Sequence, residues 1–427
     1  MLYYIKKLIP KKLFRVIQPI YHFKLALLGA LIYRFPSRKI NVVAITGTKG
    51  KTSTAEIVNA FLEEAGFKTA LAGTLRFKIG ENSKNNMYKM TMPGRFTIQK
   101  FLRDAVNAKC DYAIIEMTSE GAKQFRHKFI NLNALIFTNI SPEHIESHGS
   151  FEKYLKAKLK IAKALENSPK PDKVIIVNTD DKEANRFLET KNAEKYNYSL
   201  ENAKPFNIEN SKIEFTFNGE KMVSYLTGEF NLYNILGAAT YAKTQKVSNE
   251  QIKNALLKLK TIRGRMEKIE LENGNPFKNK QNFSVIVDYA HTPDSLEKAY
   301  KAFPNNKKIC VLGNTGGGRD KWKRVEMGKI ADKYCSEIIL TNEDPYDENP
   351  EEIVNEMKKG TTNKPVEIIM DRREAINKAI SKAENGDVVI ITGKGTDPYI
   401  MIEKGGKIQW SDAKVAREEL QKVLEQK

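Results

Sequence analysis

Cysteine is scarce in this chain: Cys110, Cys310 and Cys335 are the three in 427 residues. They show no paired spacing, so the sequence suggests neither a disulfide framework nor a zinc site, which fits a reducing compartment. No apolar run reaches the roughly 18 residues that a membrane-spanning helix needs. Internal repeats and low-complexity tracts are also missing. Acidic residues are absent from one stretch in particular, since residues 1–40 hold nine Lys or Arg and no Asp or Glu. No small-residue cleavage site precedes Pro36-Ser37-Arg38, which argues against a secretory signal.

What fills residues 1–40 is an alternation of cations with apolar residues, as in YHFKLALLGALIYRF. That is a basic amphipathic segment. It either packs on the domain that follows, the favoured reading, or touches the inner membrane face as a peripheral contact with anionic lipid. The whole chain has 41% hydrophobic and 29% charged residues, an ordinary globular balance. A net charge of +19 could attract nucleic acid, but no basic-aromatic cluster or nucleic-acid module accompanies it. Nucleic acid is therefore not expected as a partner; anionic small molecules need cationic sites as well.

From Val42 onward, short apolar runs alternate with amphipathic helical stretches: VVAIT, KTALAG, DYAIIEMT, NALIFTNI and KVIIVNTDD. Strands separated by helices imply a mainly parallel sheet covered on both faces. KIEFTFNGEKMVSYL reads as a hairpin turning at Asn218-Gly219. A second series begins near Arg263 with FSVIVDYA, KICVLGN, EIILTN, VEIIMD and DVVIITG, and the last of these leads into KIQWSD rather than a helix. The expected class is α/β: a short helical N-terminal segment (1–40), a P-loop parallel-sheet central domain (41–262) and a Rossmann-like C-terminal domain (263–427).

The sharpest local signal is Thr46-Gly47-Thr48-Lys49-Gly50-Lys51-Thr52-Ser53, where a strand meets a helix. Glycines there let backbone N–H groups close on a phosphate, and the helix dipole favours negative charge. Lys51 would reach the terminal phosphates and the Thr52 hydroxyl suits Mg²⁺. The spacing is shorter than in the common phosphate loop, with only Thr48 and Lys49 between Gly47 and Gly50-Lys51.

This abbreviated loop resembles that of the Mur ligases and their folylpolyglutamate synthetase relatives, and the likeness continues over roughly residues 42–420. Glu116-Met-Thr-Ser119, Thr138-Asn139-Ile-Ser-Pro-Glu-His144, His148-Gly149 and Tyr154-Leu-Lys-Ala-Lys158 follow in order. The resemblance implies that Glu116 and His144 ligate Mg²⁺ and that Lys158 is carbamylated, which turns a cation into an anionic oxygen ligand. Taken singly, His144 would more often cap a loop and Lys158 would lie on a solvated helix face. Gly228-Glu-Phe-Asn231-Leu-Tyr-Asn234 is similar to the family element whose second asparagine faces adenine. Gly264-Arg265-Met-Glu267 and Asp288-Tyr-Ala-His291-Thr-Pro assign Arg265 to nucleotide phosphate and Asp288 to a ribose hydroxyl. Cys310 to Arg324 carries a further long match.

The Gly264-Arg265-Met-Glu267 and Asp288-Tyr-Ala-His291-Thr-Pro elements resemble the MurE type most, which extends UDP-N-acetylmuramoyl-L-Ala-D-Glu by one amino acid. Thr91-Met-Pro93 then stands at the acceptor, with Ser119 and Arg126 holding the sugar-peptide. The implied reaction is ATP-dependent: phosphoryl transfer to a carboxylate, then attack by an amine, giving an amide, ADP and phosphate. A monomer in the cytoplasm is expected. Departures are informative. Glu343-Asp344-Pro345-Tyr346 lacks the arginine that pairs with diaminopimelate's distal carboxylate, and Gly393-Lys394-Gly395-Thr396-Asp397 replaces Gly-Lys-Gly-His-Glu. Acidic Glu343, Asp344 and Asp347 lean the amine towards L-lysine or another diamine. The 40 residues before the loop are too few for the uridine-binding domain that the resemblance implies, so the expectation is that the uridine end is held differently or that the acceptor is not a UDP sugar, a membrane-bound lipid-linked precursor being one option. Two alternatives stand beside this: a folylpolyglutamate- or poly-amino-acid-forming ligase, and a nucleotide-dependent scaffold at the membrane.

Overall fold

The computed structural model describes residues 11–88, 90–143, 145–209 and 211–426. The chain divides into two compact units. The first runs through Phe206 and adds Phe215–Met222 and Asn231–Lys258; the second comprises Asn207–Glu214, Val223–Phe230 and Leu259–Lys427.

The first unit is built on eight strands: β1 (Asn41–Thr46), β2 (Thr69–Ala72), β3 (Arg76–Ile79), β4 (Asn82–Asn85), β5 (Tyr112–Glu116), β6 (Ala134–Phe137), β7 (Val174–Asn178) and β8 (Glu194–Tyr198). Their order is β4-β3-β2-β5-β1-β6-β7-β8. Every pairing from β2 to β8 is parallel, and β3 and β4 add an antiparallel edge. The central strands are apolar throughout because both faces are covered. Val42, Ala44, Ile115, Leu135 and Ile175 pack with Ile98, Phe101, Leu102, Leu155 and Ile161 of the helices Arg95–Asn107 and Phe151–Glu166. This order matters for the site. β1 lies between β5 and β6, with Ile45 beside Glu116 and Thr46 beside Phe137. Elements about 70 and 90 residues downstream of the loop therefore flank it on either side.

Helix Lys11–Ile32 packs on helix Arg95–Asn107. A Cβ added at Gly29 would lie 3.6 Å from the Arg95 carbonyl oxygen, so the two backbones approach closely. The Arg103 guanidinium caps the helix end by donating to the carbonyls of Tyr33 at 2.7 Å and Arg34 at 3.1 Å. The packing expected of the N-terminal segment is thus present over its described residues. Among those residues no helix is long and apolar enough to cross a membrane.

Strands β9 (Phe206–Ile208), β10 (Ile213–Phe217) and β11 (Glu220–Ser224) form a small sheet of order β11-β10-β9. Asn218 and Gly219 both take positive φ (48° and 80°), the type I′ geometry that Asn-Gly favours.

In the second unit, β12 (Glu267–Ile269), β13 (Ser284–Asp288), β14 (Lys308–Leu312), β15 (Glu337–Leu340), β16 (Val366–Ile368) and β17 (Val388–Thr392) take the order β12-β13-β17-β14-β15-β16. Only β12 is antiparallel. A hairpin of β18 (Tyr399–Met401) and β19 (Lys407–Gln409) precedes the final helix Asp412–Gln426. One expectation is corrected here. Cys310 and Cys335 form a disulfide inside a buried apolar cluster. They are 25 residues apart, and only the return of the chain through helix Trp322–Tyr334 brings them together. Cys110 is buried and free.

Candidate functional site

Gly47 and Gly50 shape the loop after β1. Gly47 has φ +155°, and a Cβ there would fall 1.9 Å from the Thr138 hydroxyl. Gly50 has φ +81°, and a Cβ would meet the Asn234 side-chain oxygen at 2.3 Å. Neither position accepts a side chain without displacing its neighbour. The loop is also laced to the segment after β6. Thr48 N–H donates to the Asn139 carbonyl at 2.8 Å, Lys49 N–H to the Asn139 side-chain oxygen at 2.9 Å, and the Thr138 hydroxyl to the Lys49 carbonyl at 2.7 Å. Asn139 thus holds the loop's shape directly. Lys49 pairs with Glu143 at 3.1 Å. Lys51 folds back over the loop, its ammonium donating to the carbonyls of Gly47 and Thr48 at 2.9 Å each. Ser53 is buried in the first turn of the helix Lys51–Glu64.

On the β5 side, Glu116 is fully buried. One of its oxygens accepts from the Thr52 hydroxyl at 2.9 Å and the Thr74 hydroxyl at 3.0 Å; the other accepts from the Thr74 N–H at 2.7 Å. The Thr74 hydroxyl in turn bonds that of Thr91 at 2.9 Å. A continuous chain Thr52–Glu116–Thr74–Thr91 therefore runs from the phosphate loop to the Thr91-Met-Pro93 segment. Thr74 was not picked out from the sequence, and no motif marks it; only the sheet places it there.

Lys158 is completely buried on the helix Phe151–Glu166, its Nζ donating to the Gly47 carbonyl at 2.6 Å. Burial, then the nearby Lys51, holds its pKa well below the ordinary lysine range. Tyr154, one turn earlier, bonds the Thr48 hydroxyl at 2.9 Å and lies under the Lys158 ammonium. Tyr154 belongs to the Tyr-x-x-x-Lys spacing, so its i, i+4 relation to Lys158 was a usable signal. His144 lies outside the described residues. Among the described residues no three His, Cys, Asp or Glu side chains gather as a metal cluster.

Ser119 is buried and its hydroxyl meets the His148 ring nitrogen at 3.2 Å. Arg126 donates to the Met92 carbonyl, beside Pro93, and to the Gln124 side chain at 2.8 Å. Asn234 sits against Gly50 and accepts from Thr54 at 3.3 Å, so it reaches the loop itself.

The second unit holds its own polar clusters. Asp288, at the end of β13, accepts from the backbone N–H of Met266 at 2.7 Å and of Ala290 at 2.8 Å. Desolvation pushes its pKa up, against the pull of Arg265 and these amides. Arg265 lies over the Tyr289 ring at 4.5 Å. Elsewhere Lys394 is fully buried and donates to Asp344 at 2.8 Å and Asp397 at 3.3 Å. Asp344 also accepts from the Met401 N–H at 2.7 Å, so it is engaged within the fold. Glu343 is different. It accepts from Thr315 at 2.9 Å through one oxygen, while its buried Oε2 has no hydrogen-bond partner among the described residues. That oxygen lies where a Cβ on Gly393, at φ +108°, would come within 2.4 Å.

Comparison with known proteins places these observations. Residues 45–242 match the Mur ligase middle domain, and residues 264–395 match the Mur ligase glutamate ligase domain. The UDP-N-acetylmuramoyl-L-alanyl-D-glutamate–2,6-diaminopimelate ligase of Syntrophomonas wolfei is 34% identical over 92% of this chain and 81% of its own length. The enzyme of that name from Aquifex aeolicus is 36% identical over 90% and 78%. A solved structure of a ligase of that name superposes with a TM-score of 0.60 at 26% identity, covering 89% of this chain and 78% of its own. The Mycobacterium tuberculosis folylpolyglutamate synthase, at 15% identity and a TM-score of 0.68 over 87% and 92%, shares the fold.

Proposed function

The chain belongs to the Mur ligase family of ATP-dependent enzymes that join a carboxylate to an amine, and from that premise we propose that it adds a diamino acid to UDP-N-acetylmuramoyl-L-Ala-D-Glu in peptidoglycan precursor synthesis. The observation that carries this is the chain of hydrogen bonds from Thr52 through Glu116 and Thr74 to Thr91. It couples the group that grips nucleotide to the segment assigned to the acceptor.

In this proposal the backbone amides from Gly47 to Thr52 cradle the ATP phosphates, and Lys51 turns from its loop carbonyls to the terminal phosphate. Thr52, Glu116, His144 and a carbamate on Lys158 would be the oxygen and nitrogen donors that hold Mg²⁺. The described part of that set, a hydroxyl and a carboxylate aimed at one another, suits a hard cation. When bound, Mg²⁺ supplies charge neutralisation at the phosphates and acceptor carboxylate. Arg126 and Ser119 hold the acceptor; its carboxylate takes the γ-phosphoryl group to give an acyl phosphate and ADP. The incoming amine then attacks, and phosphate leaves as the amide forms. Asn139, Asn234, Arg265 and Asp288 are assigned to the nucleotide, with the central and C-terminal domains spanning 41–262 and 263–427.

The relatives carry diaminopimelate in their names. In this chain Tyr346 stands at the arginine position of that motif, and Glu343 presents a buried carboxylate oxygen with no hydrogen-bond partner. Glu343, with Gly393 and Asp397 beside it in the motif set, favours an ammonium over a carboxylate, hence L-lysine. Cytoplasmic location, a monomer and small-molecule partners complete the proposal. The test is ADP release with UDP-muramoyl dipeptide against a panel of amino acids. ADP release that ignored both acceptor and amine would sink the ligation reading, and a preference for meso-diaminopimelate over lysine would sink the amine assignment.

A further inference from the structure

Helix Lys11–Ile32 turns an apolar face outward. It rests on the first unit through Ala26, Gly29 and Ala30, which are buried, with Phe23 set edge-on against Phe129 at 5.3 Å and Phe125 at 6.4 Å. The opposite face, at i, i+3, i+4 spacing, carries Ile20 (53% exposed), Leu28 (47%), Leu31 (53%) and Ile32 (56%), together with Tyr21 (50%). Among the helix residues whose exposure is described, Lys24 is the one charge beside them. A helix that is apolar on its packed side and again on its outer side is expected to be covered on both.

The charge around this face selects what covers it. Residues 1–40 hold nine Lys or Arg and no acidic residue, with Arg34, Arg38 and Lys39 exposed just past the helix. A second copy meeting this face would bring its own Lys24, Arg34, Arg38 and Lys39 against these same exposed cations. An anionic bilayer instead takes the apolar side chains below its headgroups and the lysines and arginines among its phosphates. We propose that helix Lys11–Ile32 is an interfacial anchor that seats its Ile20/Tyr21/Leu28/Leu31/Ile32 face in an anionic lipid surface, lying flat rather than spanning. The supporting helix starts at Arg95, two residues after Pro93, and Phe23 packs on Phe125, next to Arg126. The anchor thus backs the segments assigned to the acceptor, and this placement rests on the proposed function.

The experiment is co-sedimentation of the full chain with phosphatidylglycerol-containing and with pure phosphatidylcholine vesicles. Binding to the first and not the second is expected, weakened as salt rises. Leu28→Asp with Leu31→Asp lowers the partition at least tenfold, with thermal unfolding and turnover of soluble acceptor unchanged. As an independent reading, Tyr21→Trp fluorescence is quenched by brominated phosphatidylglycerol. A wild-type chain that ignores anionic vesicles, or an unquenched Trp at 21, overturns the proposal. So does a dimer in light scattering that the Leu28/Leu31 double variant dissociates. Vesicle binding, fluorescence quenching and light scattering do not depend on catalysis, so they stand or fall separately from the ligase reading.

Discussion

Lys158 and Gly47 are 111 residues apart in the chain, yet the lysine Nζ donates to the Gly47 carbonyl at 2.6 Å from a completely buried position. A buried lysine next to Lys51 is held towards its neutral form, and a neutral amine is the form that adds CO₂. The carbamate would carry its negative charge towards a loop with two lysines, Lys49 and Lys51. The expected outcome is a carbamate resonance in ¹³C NMR after ¹³C-bicarbonate labelling, absent in Lys158→Ala. That variant should lose about 100-fold or more in turnover and recover part of it with a small carboxylic acid. Undiminished turnover in Lys158→Ala would refute the carbamate role.

Glu116 ties two segments at once, accepting from Thr52 and from Thr74. Glu116→Gln keeps the size but removes the charge and one acceptor oxygen. Turnover is expected to fall about 100-fold or more, with a higher Mg²⁺ requirement, while melting temperature moves little. Thr74→Val leaves the carboxylate in place but cuts the link to Thr91. Its effect should appear in the acceptor KM rather than the Mg²⁺ requirement. An unchanged acceptor KM in Thr74→Val would show that the hydrogen-bond chain is structural only.

The loop, its helix and both alternating series were legible because each is a local pattern: glycine spacing, apolar runs and intervening amphipathic stretches. The hairpin at Asn218-Gly219 was legible for the same reason. What the sequence hid is whatever depends on the order of strands. Thr74 carries no motif and gains its place only because β2 is paired with β5. Cys310 and Cys335 look unrelated at a separation of 25 residues, and become a disulfide once β14 and the helix after it are folded. Strands β3 and β4 were missed for another reason: Asn82–Asn85 is exposed and polar, so no hydrophobic period announces an edge strand. Asp344 shows the limit of reading charge from a motif. Its acidity suggested an amine site, whereas Lys394 and the Met401 N–H already occupy one of its oxygens.

His127 gives a stability prediction with a defined sign. It is 2% exposed, its Nδ1 has no partner, and burial together with Lys128 and Lys160 depresses its pKa from 6.5 to about 3. The folded state keeps the ring neutral while the unfolded chain takes up a proton below its ordinary pKa. The contribution is therefore present above about pH 6.5 and is lost as pH falls towards 3, at up to about 1.4 kcal/mol per pH unit. Denaturant titrations from pH 7 to 4 should show the slope in the wild type reduced by roughly one proton in His127→Gln. Equal slopes in the two proteins would mean that His127 is protonated in the fold or shielded in the unfolded chain.

Glu343 decides the amine. Burial, with Asp344, raises its pKa above the ordinary carboxylate value against the pull of Lys394 and Arg372, and a bound ammonium would draw it back towards the ionised form. Because Oε2 has no hydrogen-bond partner, the cost of burying it is offset when an ammonium donates to it. Glu343→Gln removes the charge while keeping the bond to Thr315 possible. The KM for lysine should rise about tenfold or more, with the KM for ATP unchanged, which separates amine recognition from nucleotide binding. Tyr346→Arg restores the cation that the diaminopimelate motif carries at this position. It should shift preference towards meso-diaminopimelate, whose second carboxylate then gains a bidentate partner. If Glu343→Gln leaves the lysine KM untouched, the ammonium is read elsewhere, and Tyr346→Arg then tests the carboxylate side alone.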